Sequence, residues 1–222
     1  MEHKKTAFAC SVIYAICLLG AAGYWNGTKP VEASATIQEK PKIALTFDDG
    51  PSIYTEELLD GLKERGVKAT FFVIGKSAVS YPKIIKRESA EGHLIGNHTY
   101  NHVEITKIGD EKAREEIGKT NQVLEEILGR EIEYVRPPFG LWQKKLEQEM
   151  NVLPVMWSID PLDWTTENVD EIVNKVVTQA EENDIILLHD CYKSSVQAAL
   201  QIVDILQKKG FEFVTVDELL LD

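Results

Sequence analysis

Cysteine is almost missing from the body of this chain. Of its three cysteines, Cys10 and Cys17 lie in an N-terminal apolar stretch and only Cys191 stands beyond it, so no internal disulfide framework can staple the fold. Positive charge is short as well: 24 Lys and Arg face 36 Asp and Glu, for a formal net charge of -12. No tract rich in Lys and Arg runs longer than a few residues, which excludes the electrostatic footprint of a nucleic-acid binder. Internal repeats and low-complexity tracts are absent too. What is there, 222 residues with 44% apolar content, suffices to bury one full core and reads as one domain.

The N-terminus reads as an address. Lys4 and Lys5 precede an uncharged run from Thr6 to Gly23, the layout of a basic region followed by an export segment. Residues 1–23 are therefore expected to act as a signal peptide or a signal anchor, and the chain to be extracytoplasmic, either secreted or held at the membrane facing the wall. Small-residue cleavage sites end at Ala22 and Ala35, while the run nearly reaches spanning length, so cleavage and anchoring both stay open. Residues 24–41 show no sustained period and are expected to be a linker.

From Lys42 to the C-terminus, short β-rich runs alternate with amphipathic stretches. Strands are expected at KIALTF, ATFFVIG, HLIGN, IEYVR, VLPVMWSI, DIILLH and FEFVTV. Helices are expected between them. In 110–128 a stripe of Ala113, Ile117, Thr120, Leu124 and Ile127 recurs at three-to-four spacing, and in 168–180 Val169, Ile172, Val173, Val176 and Val177 do the same. The pattern predicts an α/β fold: a distorted seven-stranded (β/α) barrel, TIM-barrel-like, or a doubly wound sheet with the same local signature.

Polar residues gather at the strand ends. DDG, NHTYNH, RPPFG, DPLDW and HD each follow an apolar strand body, and in a parallel βα barrel that face collects the catalytic groups. In HTYNH, His98 and His102 stand four apart, which on a helical turn places both imidazoles on one side. Thr99 occupies the place where an HExxH zinc site carries its base. Two histidines under-coordinate a metal, and a carboxylate from another strand end would complete a site with positions open to water. Asp49 is the best candidate. If Gly50 turns the chain sharply, Asp49 can bind the metal while Asp48 takes a proton from the water beside it. Taken singly, these residues also suit a surface histidine pair and an Asx-turn or helix cap before PSIYTEELL.

Together, TFDDG, HTYNH, RPPFG, DPLDW and LLHD resemble, in the same order, the motifs of the polysaccharide deacetylases of carbohydrate esterase family 4, from about Pro41 to the C-terminus. The resemblance implies a distorted seven-stranded βα barrel that removes acetyl groups from an acetylated polysaccharide or oligosaccharide, cell-wall or chitin-like, with a divalent metal, zinc foremost. It implies Asp48 as catalytic base, Asp49, His98 and His102 as metal ligands, and Arg136 as the partner of the base. It further implies the Phe139 amide as an oxyanion donor, Asp163 as the residue orienting His189, and His189 as the general acid. Pro138, Trp164 and Leu187 are implied in substrate binding, Trp164 as a wall of the groove and Leu187 in the acetyl-methyl pocket. Many family members carry Tyr where this chain has Phe139. A glycoside hydrolase using Asp48 and Asp163 would have no use for the histidine pair. A small-molecule amidase of the same superfamily and a glycan-binding protein with a decayed site are the further alternatives. Asp160 and Cys191 read as a turn residue and an inert thiol.

Overall fold

The structure, a computed structural model, describes residues 40–221. The expected export segment lies outside the described residues, as does the expected linker except for its last two residues. Glu39–Asp222 forms one compact unit.

Among the described residues seven strands run β1 (Lys42–Asp48), β2 (Thr70–Val73), β3 (Leu94–Asn97), β4 (Tyr134–Val135), β5 (Leu153–Pro154), β6 (Ile185–His189) and β7 (Glu212–Val214). Between and after them lie α1 (Thr55–Glu64), α2 (Gly75–Ser80), α3 (Pro82–Ala90), α4 (Asp110–Leu128), α5 (Lys145–Met150), α6 (Val169–Val177), α7 (Lys193–Lys208) and α8 (Val216–Leu221). The two helices expected from periodicity are α4 and α6. Ala113, Ile117, Thr120 and Leu124 form the buried stripe of α4, whose end is set by Gly129 in the left-handed region at φ 70°. In α6 the Asn168 side chain caps the Glu171 N–H, and Ile172, Val173 and Val176 are buried.

Every pairing between strands is parallel. The order is β5-β4-β3-β2-β1-β6, with β7 on β1. β1 serves three partners, meeting β7 along Lys42–Ala44, β2 along Thr46–Asp48 and β6 along Ala44–Asp48. The VLPVMWSI run, expected as one strand, is instead divided between two neighbours. Leu153 and Pro154 pair with β4, then the chain crosses over so that Ile159 bridges Ile186 of β6. Pro154 has no N–H to continue a ladder, which favours so short a strand. That crossing closes the curled sheet into a distorted barrel.

The strand period of two sorts the side chains. Ile43, Leu45 and Phe47 of β1 join Phe71, Ile95, Ile186 and Leu188 in the layer under the helices, with Leu58, Ile172 and Ile202 opposite. Each fully buried aliphatic side chain there contributes about 1.5–3 kcal/mol. Ala44 instead packs in the separate cluster of Phe72, Tyr134 and Val155. Thr46 and Asp48 continue that alternate face of β1, which ends at the mouth of the barrel on Asp48. In register beside Asp48 stands His189 of β6.

Candidate active site

Asp48 is 3% exposed, and its charge is met from below. Arg136, fully buried just past β4, donates through Nη1 to Asp48 Oδ1 at 2.9 Å and to Thr46 Oγ1 at 2.7 Å. Its other nitrogens donate to the Val155 and Met156 carbonyls, and its guanidinium lies 4.2 Å from the Phe72 ring centroid. Burial pulls the guanidinium's pKa below its ordinary value, and Asp48 opposes that pull. A buried pair of this kind is tolerated only when its polar atoms are met, as they are here. Arg136 thereby fixes the Asp48 carboxylate by Oδ1.

Asp49 lies just beyond the strand with φ 72°. The turn expected from Gly50 is thus made one residue earlier, by an aspartate in a conformation that L-residues rarely adopt. Gly50 is needed for another reason: a Cβ there would sit 2.4 Å from both carboxylate oxygens of Asp190. The left-handed backbone points Asp49 Oδ1 to within 3.5 Å of His98 Nε2 and 3.4 Å of His102 Nε2.

The two histidines converge without a helix. Residues 98–102 form an irregular loop with positive φ at Thr99 (62°) and His102 (54°). The helical-turn reading of the His spacing fails because Asn97 and Glu116 hold the loop otherwise. Asn97 Oδ1 accepts from the Thr99 N–H, and Glu116 of α4 accepts from the Tyr100 and Asn101 N–H groups. His98 Nδ1 lies 2.7 Å from the Arg136 carbonyl, which can only accept, so Nδ1 carries the proton and Nε2 keeps its lone pair. Burial lowers the His98 pKa, against the Asp48 and Asp49 charges.

Asp49, His98 and His102 each offer one ligand atom, all within 4.8 Å of one another. Asp49 Oδ1 is buried and has no hydrogen-bond partner. Two ligands about 2.1 Å from one tetrahedral ion lie about 3.4 Å apart, which is the spacing between Asp49 and each histidine here. The donor set, one carboxylate and two imidazoles, suits a divalent cation with positions left open.

His189 is held by Asp163 twice. Its Nδ1 donates to Asp163 Oδ1 and its backbone N–H to Oδ2, both at 2.8 Å. Burial works against a charged imidazole, but the Asp163 hydrogen bond and charge, with Asp48 and Asp49 adding to them, raise the pKa from 6.5 to about 9. The ring is fixed as an acid whose Nε2 remains available.

Asp48, Asp49, His98, His102 and His189 line a cleft of about 480 Å³ with Pro137, Phe139, Trp157, Asp160, Leu162, Trp164, Leu187 and Tyr192. Leu187 is buried, while Trp164 (55%) and Phe139 (63%) are exposed. Phe139 has φ 62° in the turn after β4. Pro138 is buried, and Pro137 is the proline of the pair on the cleft wall. Asp160 combines its expected turn, accepting the Leu162 N–H, with a place on the wall. Sequence reasoning did not single out Trp157, Leu162 or Tyr192. The signal open to it was their closeness to DPLDW and HD.

Comparison with known proteins agrees with this geometry. Residues 35–156 match the family described as "Polysaccharide deacetylase". The peptidoglycan-N-acetylglucosamine deacetylase of Bacillus cereus is 40% identical over 184 residues, 79% of this chain and 67% of that protein. The peptidoglycan-N-acetylmuramic acid deacetylase PdaC of Bacillus subtilis is 39% identical over 178 residues, 80% of this chain. The chain spans only 38% of that longer relative. The solved structure of PdaC superposes with a TM-score of 0.79 at 38% identity, covering 81% of this chain and 90% of the other. With a match through more than half of its residues and relatives this similar, the chain belongs to the polysaccharide deacetylase family of enzymes.

Proposed function

We propose that this chain is a zinc-dependent deacetylase that hydrolyses the N-acetyl groups of amino sugars in peptidoglycan. The observation that carries the reading is the pairing across one cleft of a three-donor metal site, an arginine-anchored Asp48 and an aspartate-anchored His189. When bound, the metal supplies Lewis-acid polarisation of the acetyl carbonyl and makes the attacking water more acidic. Asp48, fixed through Oδ1, takes the water's proton on Oδ2 as the C–O bond forms. The Phe139 amide donates to the developing oxyanion. Amine anions are very poor leaving groups, so C–N cleavage needs a proton, which His189 gives from Nε2 while Asp163 holds Nδ1. Acetate and the free amine leave. Leu187 receives the acetyl methyl, while Trp164 and Phe139 offer apolar faces to the sugar.

Peptidoglycan is favoured because both relatives described above are named for acting on it. A wall substrate also agrees with the basic and apolar N-terminus, which on this reading exports the chain and secretes it or tethers it at the membrane, leaving 42–222 as the catalytic domain. Acetate release should be measured on peptidoglycan, chitooligosaccharide and acetylated xylan, with chelator and after zinc return. Release from peptidoglycan that stops with chelator and returns with zinc is expected. Release unaffected by chelator, or seen only from xylan, would overturn the proposal. A reporter fused after Asp222 should be active only outside the cytoplasm.

A further inference from the structure

The pairing of β1 with β6 ends at Asp48 and His189, yet Asp49 beyond it must keep its left-handed backbone in the cleft it shares with His189. A backbone in this region costs about 1–3 kcal/mol and persists only where its surroundings hold it. In the segment that follows, Gly50 to Thr55, the Gly50 carbonyl accepts the Ile74 N–H just past β2 at 3.1 Å, and the side chains of Ser52 and Thr55 are both tied to one residue. Ser52 Oγ donates to the Asp190 carbonyl at 2.7 Å, and Thr55 Oγ1 donates to Asp190 Oδ2 at 2.5 Å. Thr55 Oγ1 also accepts the Ser52 N–H at 2.7 Å, and Ser52 Oγ accepts the Tyr54 N–H at 3.0 Å, so the two hydroxyls relay the loop's own donors to Asp190. The three atoms nearest to a Cβ at Gly50 all belong to the Asp190 carboxyl. The carboxyl therefore fills the hollow against which the turn is folded.

Asp190 is fully buried and its Oδ1 has no partner. Glu88 of α3, equally buried, has neither oxygen partnered and is pushed well above the ordinary carboxylate range by burial and by the Asp190 charge. Burying a carboxyl with so few partners is unfavourable. The side-chain hydrogen bond that Asp190 does make goes to the loop behind Asp49.

We infer that Asp190 is a positioning residue that clamps the Gly50–Thr55 loop to the strand carrying His189, and so presets Asp49 for the metal. The inference rests on the reading of Asp49 as a metal ligand. Residues outside a ligand shell that orient it are worth about 10- to 100-fold in metal affinity. The test is calorimetric titration of zinc into the metal-free full chain, for wild type, Asp190→Ala, Asp190→Asn and Thr55→Val, with the melting temperature and the kcat and KM of each zinc-loaded protein. Asp190→Ala and Thr55→Val are expected to bind zinc about 10-fold or more weakly and to lose kcat with KM little changed. Asp190→Asn keeps an acceptor for Thr55 and should recover most of the affinity that alanine loses. A folded Asp190→Ala with wild-type zinc affinity would overturn the clamp, and so would an asparagine variant no better than alanine. If Asp190→Ala does not fold, Thr55→Val decides alone, since wild-type affinity there overturns the inference equally. A wild-type chain that takes up no zinc overturns the metal reading itself.

Discussion

Replacing Asp163 by Asn removes one negative charge from behind His189 at nearly constant shape, and the consequence can be worked through. In the native site the imidazole pKa is raised from 6.5 to about 9 although burial works against the charge. The Asp163 hydrogen bond and charge lead the opposing causes, ahead of Asp48 and Asp49. Without that charge, the burial that remains should carry the pKa back to about 6.5 or below. At pH 8 the protonated fraction of an acid with pKa about 9 is about 0.9, and of one with pKa about 6.5 it is about 0.03. A roughly 30-fold loss of kcat at pH 8 is therefore expected from protonation alone. The alkaline limb of the acetate-release profile should move down by about two and a half pH units. The sign carries over to folding. A raised folded-state pKa gives stability that is fully present below the unfolded value near 6.5 and is lost as pH rises through about 9. Chemical denaturation across that window should thus show a slope in wild type that flattens in Asp163→Asn. A limb unmoved in Asp163→Asn, or one that persists in the residual activity of His189→Gln, would refute the assignment of His189 as the acid.

Asp48→Asn should leave zinc content near wild type and abolish turnover, whereas Asp49→Asn, His98→Ala and His102→Ala should lower zinc content itself; equal loss in both aspartate variants, by elemental analysis, would remove the division of roles. Arg136→Met leaves Asp48 buried beside no cation and should cost about 3–5 kcal/mol in urea denaturation. A loss under about 1 kcal/mol would show that the pair is open to water. Trp164→Ala should raise KM about 3- to 10-fold through lost ring contact with kcat nearly unchanged, measured on soluble glycan fragments.

The β-rich runs and the amphipathic helices α4 and α6 were legible because burial writes itself into sequence with periods of two and 3.6. Ile172 and Val176 show it in α6, Leu45 and Phe47 in β1. The polar residues that the structure gathers at the cleft were picked out by their order at strand ends, while Trp157, Leu162 and Tyr192 on its wall were not. Backbone conformation was not legible. Nothing in HTYNH announces positive φ at Thr99 and His102, because Glu116, the residue that holds the Tyr100 and Asn101 amides, arrives from a helix 15 residues later. The turn assigned to Gly50 belongs to Asp49 for the same reason: the Asp190 carboxyl that crowds position 50 comes from the far end of the chain. The division of VLPVMWSI between β4 and β6 depends on which neighbour each residue meets, and composition carries no record of that.

The crossing that closes the barrel has one more consequence. From Ser158 to Asp163 a single stretch both seals the ring and supplies the aspartate behind the acid. Its attachment to β6 rests on the Ser158 N–H to Ile185 O and Leu187 N–H to Ile159 O bonds, each 2.9 Å, a longer Ile159 N–H to Ile185 O bond at 3.2 Å, the Ile185 N–H to Ser158 Oγ bond at 2.9 Å, and the two bonds from His189 to Asp163. Because this stretch pairs with β6 through a single bridge, Ile159 to Ile186, while β1 pairs with β6 along Ala44–Asp48, the seam opens at lower free energy than the core strands. When it opens, Asp163 leaves with it and His189 loses its holder while β1, β2 and β3 stay folded. Heat should therefore silence the enzyme some degrees before it melts, and amide exchange at Leu187 should report the silencing rather than the melting.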